Sequence, residues 1–240
     1  MSIKIENIVK NGRTKPYLSK FLTIAEQYEL SKYIKEVNIV FSNTYIDEER
    51  KRAFVYPMDM NTFPMDMTTL PDFKITYLKI ISKQKLNHPD ILGAILNTGI
   101  DRETVGDILV NEQIVISTSE IANYIISNTS IINRQRVEIE KIDSFDYLEE
   151  NNYDEKQIII SSMRLDGILA KSMNISRSSA QELINKRIVK INGNIELRCD
   201  YNCTLSDTIS ITRKGRIKIQ DVTRKTKKDK LVLNILFIKI

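Results

Sequence analysis

The sequence predicts an α+β protein of three regions, and three observations carry that reading. Between Met163 and Lys218 the apolar period changes from 3.6 to 2, as two short helices followed by a small sheet require. Between Lys85 and Ile142 strand-like and helix-like segments follow one another in a β-β-α-β order. The charge is also divided. Residues 1–159 hold 19 Lys+Arg against 24 Asp+Glu, a net of −5, while residues 160–240 hold 17 against 7, a net of +10. The expected division is an N-terminal helix-plus-sheet region (1–82), a central split-βαβ region (83–156) and a basic C-terminal unit (157–240). A chain of 240 residues, 42% hydrophobic and 28% charged, has the length and composition for several small cores.

The first 14 residues are mostly polar and are expected to be loosely held. Pro16 to Glu36 reads as one long amphipathic helix, with Leu18, Leu22, Ala25 and Tyr28 near one face and Pro16 in its first turn. Asn38–Phe41, Ala53–Tyr56 and Phe73–Ile81 read as strands of the same region. The stretch 58–67, between Pro57 and Pro64, is rich in Met and Asp; Met commonly fills gaps, so no metal is assigned to it.

In the central region Asp90 reads as the N-cap of a helix through Leu96, and Gly99 as its positive-φ end. A turn at Asp101 feeds a strand to Val110, and Ile114–Ile116 forms another. Ser117 and Glu120 read as a capping box for a helix from Ile121 to Ser127, and Arg136–Ile142 returns as a strand. Such a sheet is RRM-like. The Lys/Arg-Gly-Phe/Tyr run that stacks bases in RRMs does not occur here, so no base stacking is assigned to it. The acidic, polar stretch from Asp143 to Lys156 is the expected domain boundary.

In the C-terminal unit, Gln157–Ser162 is β-rich and leads in. Leu165, Ile168 and Leu169 form one stripe of a short helix. Ser176 offers an N-cap hydroxyl to a second helix with inner residues Ala180, Leu183 and Ile184. Val189 and Ile191 lead into Asn192-Gly193, the preferred pair for a type I′ hairpin turn, with Ile195 and Leu197 returning and Thr208–Ile211 alternating beyond. Leu231–Ile240 reads as a closing strand and has about half the length of a bilayer-spanning helix.

The polar side of this unit carries the candidate ligands. Arg164 opens the first helix, Arg177 sits in the first turn of the second, and Arg177, Gln181 and Asn185 follow at i, i+4 and i+8 as a stripe away from the apolar face. Lys186, Arg187 and Lys190 come next, then Lys214 and Arg216, with Arg224, Lys225, Lys227 and Lys228 as a further basic run. Arginine and lysine fixed on a rigid scaffold suit a phosphate backbone.

Four segments in order give this unit a resemblance: Arg164-Leu165-Asp166, Ser176 to Ile184, Val189-Lys190-Ile191-Asn192-Gly193 and Asp207-Thr208-Ile209 resemble the S4 (αL) RNA-binding domain. Two positions depart from its pattern, since Arg187 and Ser206 stand where that family often has glycine. With the block from His88 to Val110, the whole chain resembles the YlmH family of S4-domain proteins. That resemblance implies a cytoplasmic protein that binds rRNA of the large ribosomal subunit, tRNA or both, and acts in ribosome-associated quality control of stalled peptidyl-tRNA. A link to cell division genes also attaches to the family.

No cofactor or metal is expected. No G-x-x-x-x-G-K-S/T phosphate loop occurs, and Cys199, Cys203 and the single His88 are too few and too scattered for a zinc site. Two cysteines suit a reducing compartment with both thiols free, and the N-terminus shows no export signal. Two other classes compete. Arg164-Leu165-Asp166 is reminiscent of the catalytic aspartate of pseudouridine synthases, but inside this unit Asp166 reads instead as a local cap or pairing partner; an RNA-modifying enzyme would have its active site in residues 1–159, with the basic unit as substrate handle. His88 with Asp90 could form an acid–base pair, but Asp90 fits a cap. A protein-binding adaptor is the other class. The reading taken is a non-enzymatic, monomeric RNA-binding factor, with Arg164, Arg177, Gln181, Lys186, Arg187, Lys190, Lys214 and Arg216 as its RNA contacts. Reversing Arg177 and Lys190 to Glu is expected to weaken binding about tenfold or more with the fold intact.

Overall fold

A computed structural model describes residues 2–45, 48–59, 71–145, 153–205, 207–226 and 229–238. The chain divides into two compact units, 1–147 and 148–240. The α+β class matches the expectation.

The first unit corrects the reading of its own N-terminus. Ile3–Thr14 is a helix, α1, that buries Ile5, Ile8, Val9 and Gly12. Its many polar residues lie on the other face, and that one-sidedness is what a count of polar residues hides. The long helix expected over Pro16–Glu36 is instead a strand, β1 (Tyr17–Leu22), followed by a short helix, α2 (Ile24–Ser31). The break falls at Thr23, whose side chain accepts from the Glu26 amide at 3.3 Å while the Glu26 carboxylate accepts from the Thr23 amide at 2.7 Å, a reciprocal capping box. β2 (Val37–Phe41) and β3 (Lys51–Pro57) complete an antiparallel sheet in the order β1-β3-β2. Leu22, Leu30, Val37, Ala53 and Val55 pack with the α1 residues as one core. The approach is close at Gly12, where an added Cβ would stand 2.3 Å from a Val55 methyl.

β4 (Ile75–Ile81) was read as the last strand of that sheet, yet it pairs with the central strands. After it come α3 (His88–Leu96), a 3-10 turn at Arg102–Thr104, β5 (Val105–Leu109), β6 (Ile114–Thr118), α4 (Ser119–Asn128), a small hairpin of β7 (Ile131–Ile132) and β8 (Gln135–Arg136), and β9 (Glu138–Ile142). The sheet runs β5-β6-β4-β9 with every neighbour antiparallel. With β4 included, the order becomes β-α-β-β-α-β, the full split-βαβ arrangement. Two expected caps fall elsewhere. Asn87, not Asp90, caps α3, its side-chain oxygen accepting from the Asp90 amide at 3.0 Å. Thr118, not Ser117, precedes α4, because Ser117 is drawn into β6 opposite Thr76 and Val105. Gly99 does adopt positive φ, at +89°.

Side chains alternate across this sheet. Leu78, Ile80 and Val115 face the helices, against Ile91, Ile95, Ala122 and Ile125. Ile114, Ile116 and Tyr77 face the other way and are covered by Phe21 of β1, Tyr45 and Phe145. The Tyr77 and Phe145 rings meet edge-on at 4.9 Å between centroids. Asp107 fixes this cover by accepting from the Tyr45 hydroxyl at 2.5 Å and the Glu49 amide at 2.7 Å. Arg52, buried in β3, ties the two sheets by donating to the carbonyls of Ser19 at 2.7 Å and of Phe73 and Lys74 at 2.9 Å. Most of the Met- and Asp-rich stretch lies outside the described residues.

The second unit follows the expected plan and enlarges it. β10 (Tyr153–Ile160), α5 (Leu165–Ser172), α6 (Arg177–Asn185), β11 (Val189–Ile191), β12 (Asn194–Ile195), β13 (Thr208–Ile211), β14 (Gly215–Lys225) and β15 (Leu231–Ile238) follow in sequence. The sheet is six-stranded, β10-β15-β14-β13-β11-β12, and antiparallel throughout. α5 and α6 cover one face through Leu165, Ile168, Leu169, Ala180 and Ile184. Ser176 caps α6 by accepting from the Ser179 amide at 3.0 Å. Asn192 and Gly193 both take positive φ, +49° and +80°, as a type I′ turn demands. The return strand β12 is shorter than expected, and Leu197 is exposed beyond it.

Replacing Gly12 by Ala is expected to destabilise the first unit by about 1–3 kcal/mol through overpacking against Val55. Urea unfolding monitored by circular dichroism tests this; an unchanged midpoint would show that α1 and β3 can move apart freely.

Candidate nucleic-acid interface

The candidate site is organised by a carboxylate. Asp166 lies in the first turn of α5 and its side chain is 0% exposed. Arg164 donates to it as a fork, Nε to Oδ1 at 3.2 Å and Nη2 to Oδ2 at 3.0 Å. Arg177 of α6 adds Nη2 to Oδ1 at 3.0 Å, and Gln181, one turn further along α6, adds Nε2 to Oδ2 at 3.1 Å. Burial alone would push the Asp166 carboxyl up, but these donors outweigh it and hold the group well below the usual carboxylate range. The stripe Arg177–Gln181, which the sequence placed away from the apolar face, therefore turns toward α5. The two guanidinium groups still reach water, their side chains being 38% and 54% exposed.

The first two amides of α5 are taken up by the chain itself. The Leu165 and Asp166 amides donate to the carbonyls of Tyr201 and Cys199 at 2.9 and 3.1 Å. The loop that supplies those carbonyls is itself held by Asp207, which accepts from the Thr204 amide at 2.8 Å and from Asn192 Nδ2 at 2.7 Å. Cys203 is buried nearby, and burial pushes its thiol up to about 12. Such a thiol stays protonated and inert.

The other expected contacts lie apart from this cluster. Lys186 caps the end of α6, where a cation suits the helix dipole, and faces Glu182 at 3.9 Å with both side chains exposed. Arg187, also exposed, follows with φ +60°. This is the position where S4 domains often have glycine, and the backbone shows why. Lys190 alternates with the buried Val189 and Ile191, so it lies on the sheet face away from the helices. Across that face it pairs with Ser210, which pairs in turn with Arg216. Arg216 Nε donates to Ser210 Oγ at 3.3 Å. Lys214 is exposed in the turn between β13 and β14. Arg224 and Lys225 end β14, while Lys227, Lys228 and Ser206 lie outside the described residues. The eight positions thus form a basic girdle over both faces rather than one patch. Reversal at Arg177 is also not the clean probe expected, because it would set a second carboxylate against Asp166. Sequence reasoning weighed Asp166 only as a catalyst or a local partner and missed it as the organiser; the available signal was Arg164-x-Asp166 with an arginine eleven residues on.

Comparison with known proteins agrees with this geometry. An S4 domain matches residues 163–209, and a family described as a putative RNA-binding domain in YlmH matches residues 69–146, the stretch that holds the β5-β6-β4-β9 sheet. The ribosome-associated protein quality control protein P2 of Bacillus subtilis (strain 168) is 31% identical over 219 residues, covering 89% of this chain and 84% of that protein. The chain belongs to the YlmH family of S4-domain RNA-binding proteins. A solved structure of cell division protein ylmH from Streptococcus pneumoniae aligns over 59% of this chain and 93% of that one, with TM-score 0.46 at 21% identity. In this YlmH-family chain, no described helix is long and apolar enough to cross a membrane, and no group of three or more metal-binding side chains occurs among the described residues.

Asp166→Asn is expected to loosen α5 and α6 at neutral pH by about 1–3 kcal/mol, since a buried neutral amide cannot accept from all four donors. The folded carboxyl lies below its unfolded value of about 3.9, so its contribution is complete above that pH and fades as the pH falls toward the folded value. Amide exchange in α5 and α6 should therefore separate wild type from variant at pH 7 and bring them together in acid; a gap independent of pH would contradict an ionised Asp166. Arg187→Gly should raise stability by roughly 1 kcal/mol by relieving its left-handed backbone. The same change should weaken RNA binding several-fold, as measured by filter binding at fixed salt.

Proposed function

We propose that the chain is a non-enzymatic factor that acts at the large ribosomal subunit, binding rRNA, tRNA or both, in the quality control of stalled peptidyl-tRNA. The observation that carries this reading is the pair of arginines held by Asp166 on an S4 unit. A guanidinium pinned by a buried carboxylate has already lost most of its side-chain freedom, so a phosphate meets a preformed donor. The extent of similarity to a ribosome-associated quality control protein supports the ribosomal setting. Recognition of this kind reads phosphates and RNA shape more than base edges.

Catalysis at Asp166 fits the geometry poorly. The carboxylate is fully buried and receives four donor contacts, which leaves it neither accessible nor basic. The reading extends to a cytoplasmic protein acting as a monomer.

The test is sedimentation of the full chain with purified large subunits through sucrose at low and high salt. Co-migration at low salt that is lost at high salt is expected. Lys186→Glu, Lys190→Glu and Lys214→Glu together, none of which touches Asp166, should weaken it about tenfold or more. A chain that stays at the top of the gradient at low salt would overturn the ribosomal reading.

A further inference from the structure

Beside the Asp166 cluster the C-terminal unit carries a cleft of about 320 Å³. Arg164, Lys171, Arg177 and Lys230 border it, and among the described residues no acidic side chain lines it. The two arginines share a single carboxylate, and neither lysine has an ion-pair partner among the described residues. The cleft therefore holds an excess of positive charge. Its floor is different in character, being formed by the uncharged Gly167, Ala170 and Ile175. Its volume lies at the low end of small-molecule sites, enough for one nucleotide and too little for a duplex.

Gly167 supplies an independent observation. It lies in the first turn of α5, where glycine is a poorer helix former than alanine. Its backbone is helical, so no positive φ requires it, and a Cβ added there would meet nothing within 4 Å. Neither backbone conformation nor close packing accounts for a glycine at this position. The absent side chain leaves the cleft open.

We propose that this cleft seats one unstacked nucleotide of the bound RNA, its phosphate against the arginines and lysines and its base on the Gly167–Ala170 floor. Nucleotides displaced from a structured RNA are recognised in this way, by a cation for the phosphate and an apolar surface for the base. The inference rests on the RNA-binding reading above and assigns a seat within it.

Two arms test it with the full chain. In the first, Gly167→Met and Gly167→Ala are compared with wild type for binding to purified large subunits. Met fills the cleft and should weaken binding about fivefold or more, near 1 kcal/mol, without altering the salt dependence, since no cation is removed. Ala should melt higher than wild type, as expected where the fold does not require glycine. In the second arm, wild-type protein is titrated with AMP, UMP and inorganic phosphate while the amide resonances of α5 are followed by NMR. The mononucleotides should shift Gly167 and Ala170 at millimolar concentration, and phosphate should not reproduce that pattern. Wild-type affinity in a folded Gly167→Met variant would overturn the seat, and so would phosphate shifts equal to those of AMP. Saturation by AMP or UMP at micromolar concentration would make the site one for a free nucleotide and overturn the RNA-borne version. Failure of wild type to bind subunits would remove the ribosomal reading, while the titration would still decide the cleft.

Discussion

The pairing of Asp166 with Arg164, Arg177 and Gln181 is the contact on which the geometry of the C-terminal unit depends. An unpaired carboxylate this deeply buried would cost several kcal/mol, and the unit tolerates it because every donor comes from a fixed element. α5 presents the acid and α6 presents the third and fourth donors, so the two helices cannot slide past one another without breaking the network. The same contact sets the electrostatics of the surface. It removes one positive charge from a strongly basic unit and returns two oriented guanidinium groups. For a protein that meets a polyanion, orientation is worth more than the extra charge, because unspecific attraction is already abundant.

The first unit has a different balance. Its RRM-like sheet keeps one face against α3 and α4 and loses the other to Phe21, Tyr45 and Phe145. Gly106 makes that possible, since a Cβ there would press on the Phe21 ring at 2.9 Å. A sheet closed in this way has no open platform for stacking bases, in agreement with the missing aromatic run. Residues 1–159 are also net acidic. The phosphate contacts proposed for this chain accordingly lie in the S4 unit.

How much of this was legible in the sequence depended on the range of the interactions. Ser176, Asn192-Gly193 and the stripe Leu165, Ile168, Leu169 act within a few residues, and each did what its local chemistry implies. The first 36 residues misled for physical reasons. Leu18 and Leu22 fit a helical spacing, but Tyr17, Ser19 and Phe21 alternate equally well, and pairing with β3 decided between them. Thr23 and Glu26 form a capping box that marks the true helix start inside the stretch read as one helix. β4 looked like a neighbour of β3 by sequence, yet its partners are β6 and β9, more than 30 residues on. Within the site the residue types were legible and their grouping was not, because the grouping runs through one buried side chain and through the pleat that sends Lys190 and Arg216 to the far face.

Two positions in the S4 unit invert the usual preferences of the backbone. Arg187 occupies a left-handed conformation that glycine adopts without strain, and Gly167 occupies the first turn of a helix, where alanine is the better helix former. Either exchange in the opposite sense would stabilise the unit, so neither residue is there for the fold. Violations of local preference without a packing return are what a binding surface leaves behind. In one case the unit keeps a cation at the helix-to-strand turn; in the other it keeps a space beside the arginines that Asp166 holds. On the proposed RNA-binding reading, a cation gained and a side chain withheld serve one end, which is room and charge for RNA.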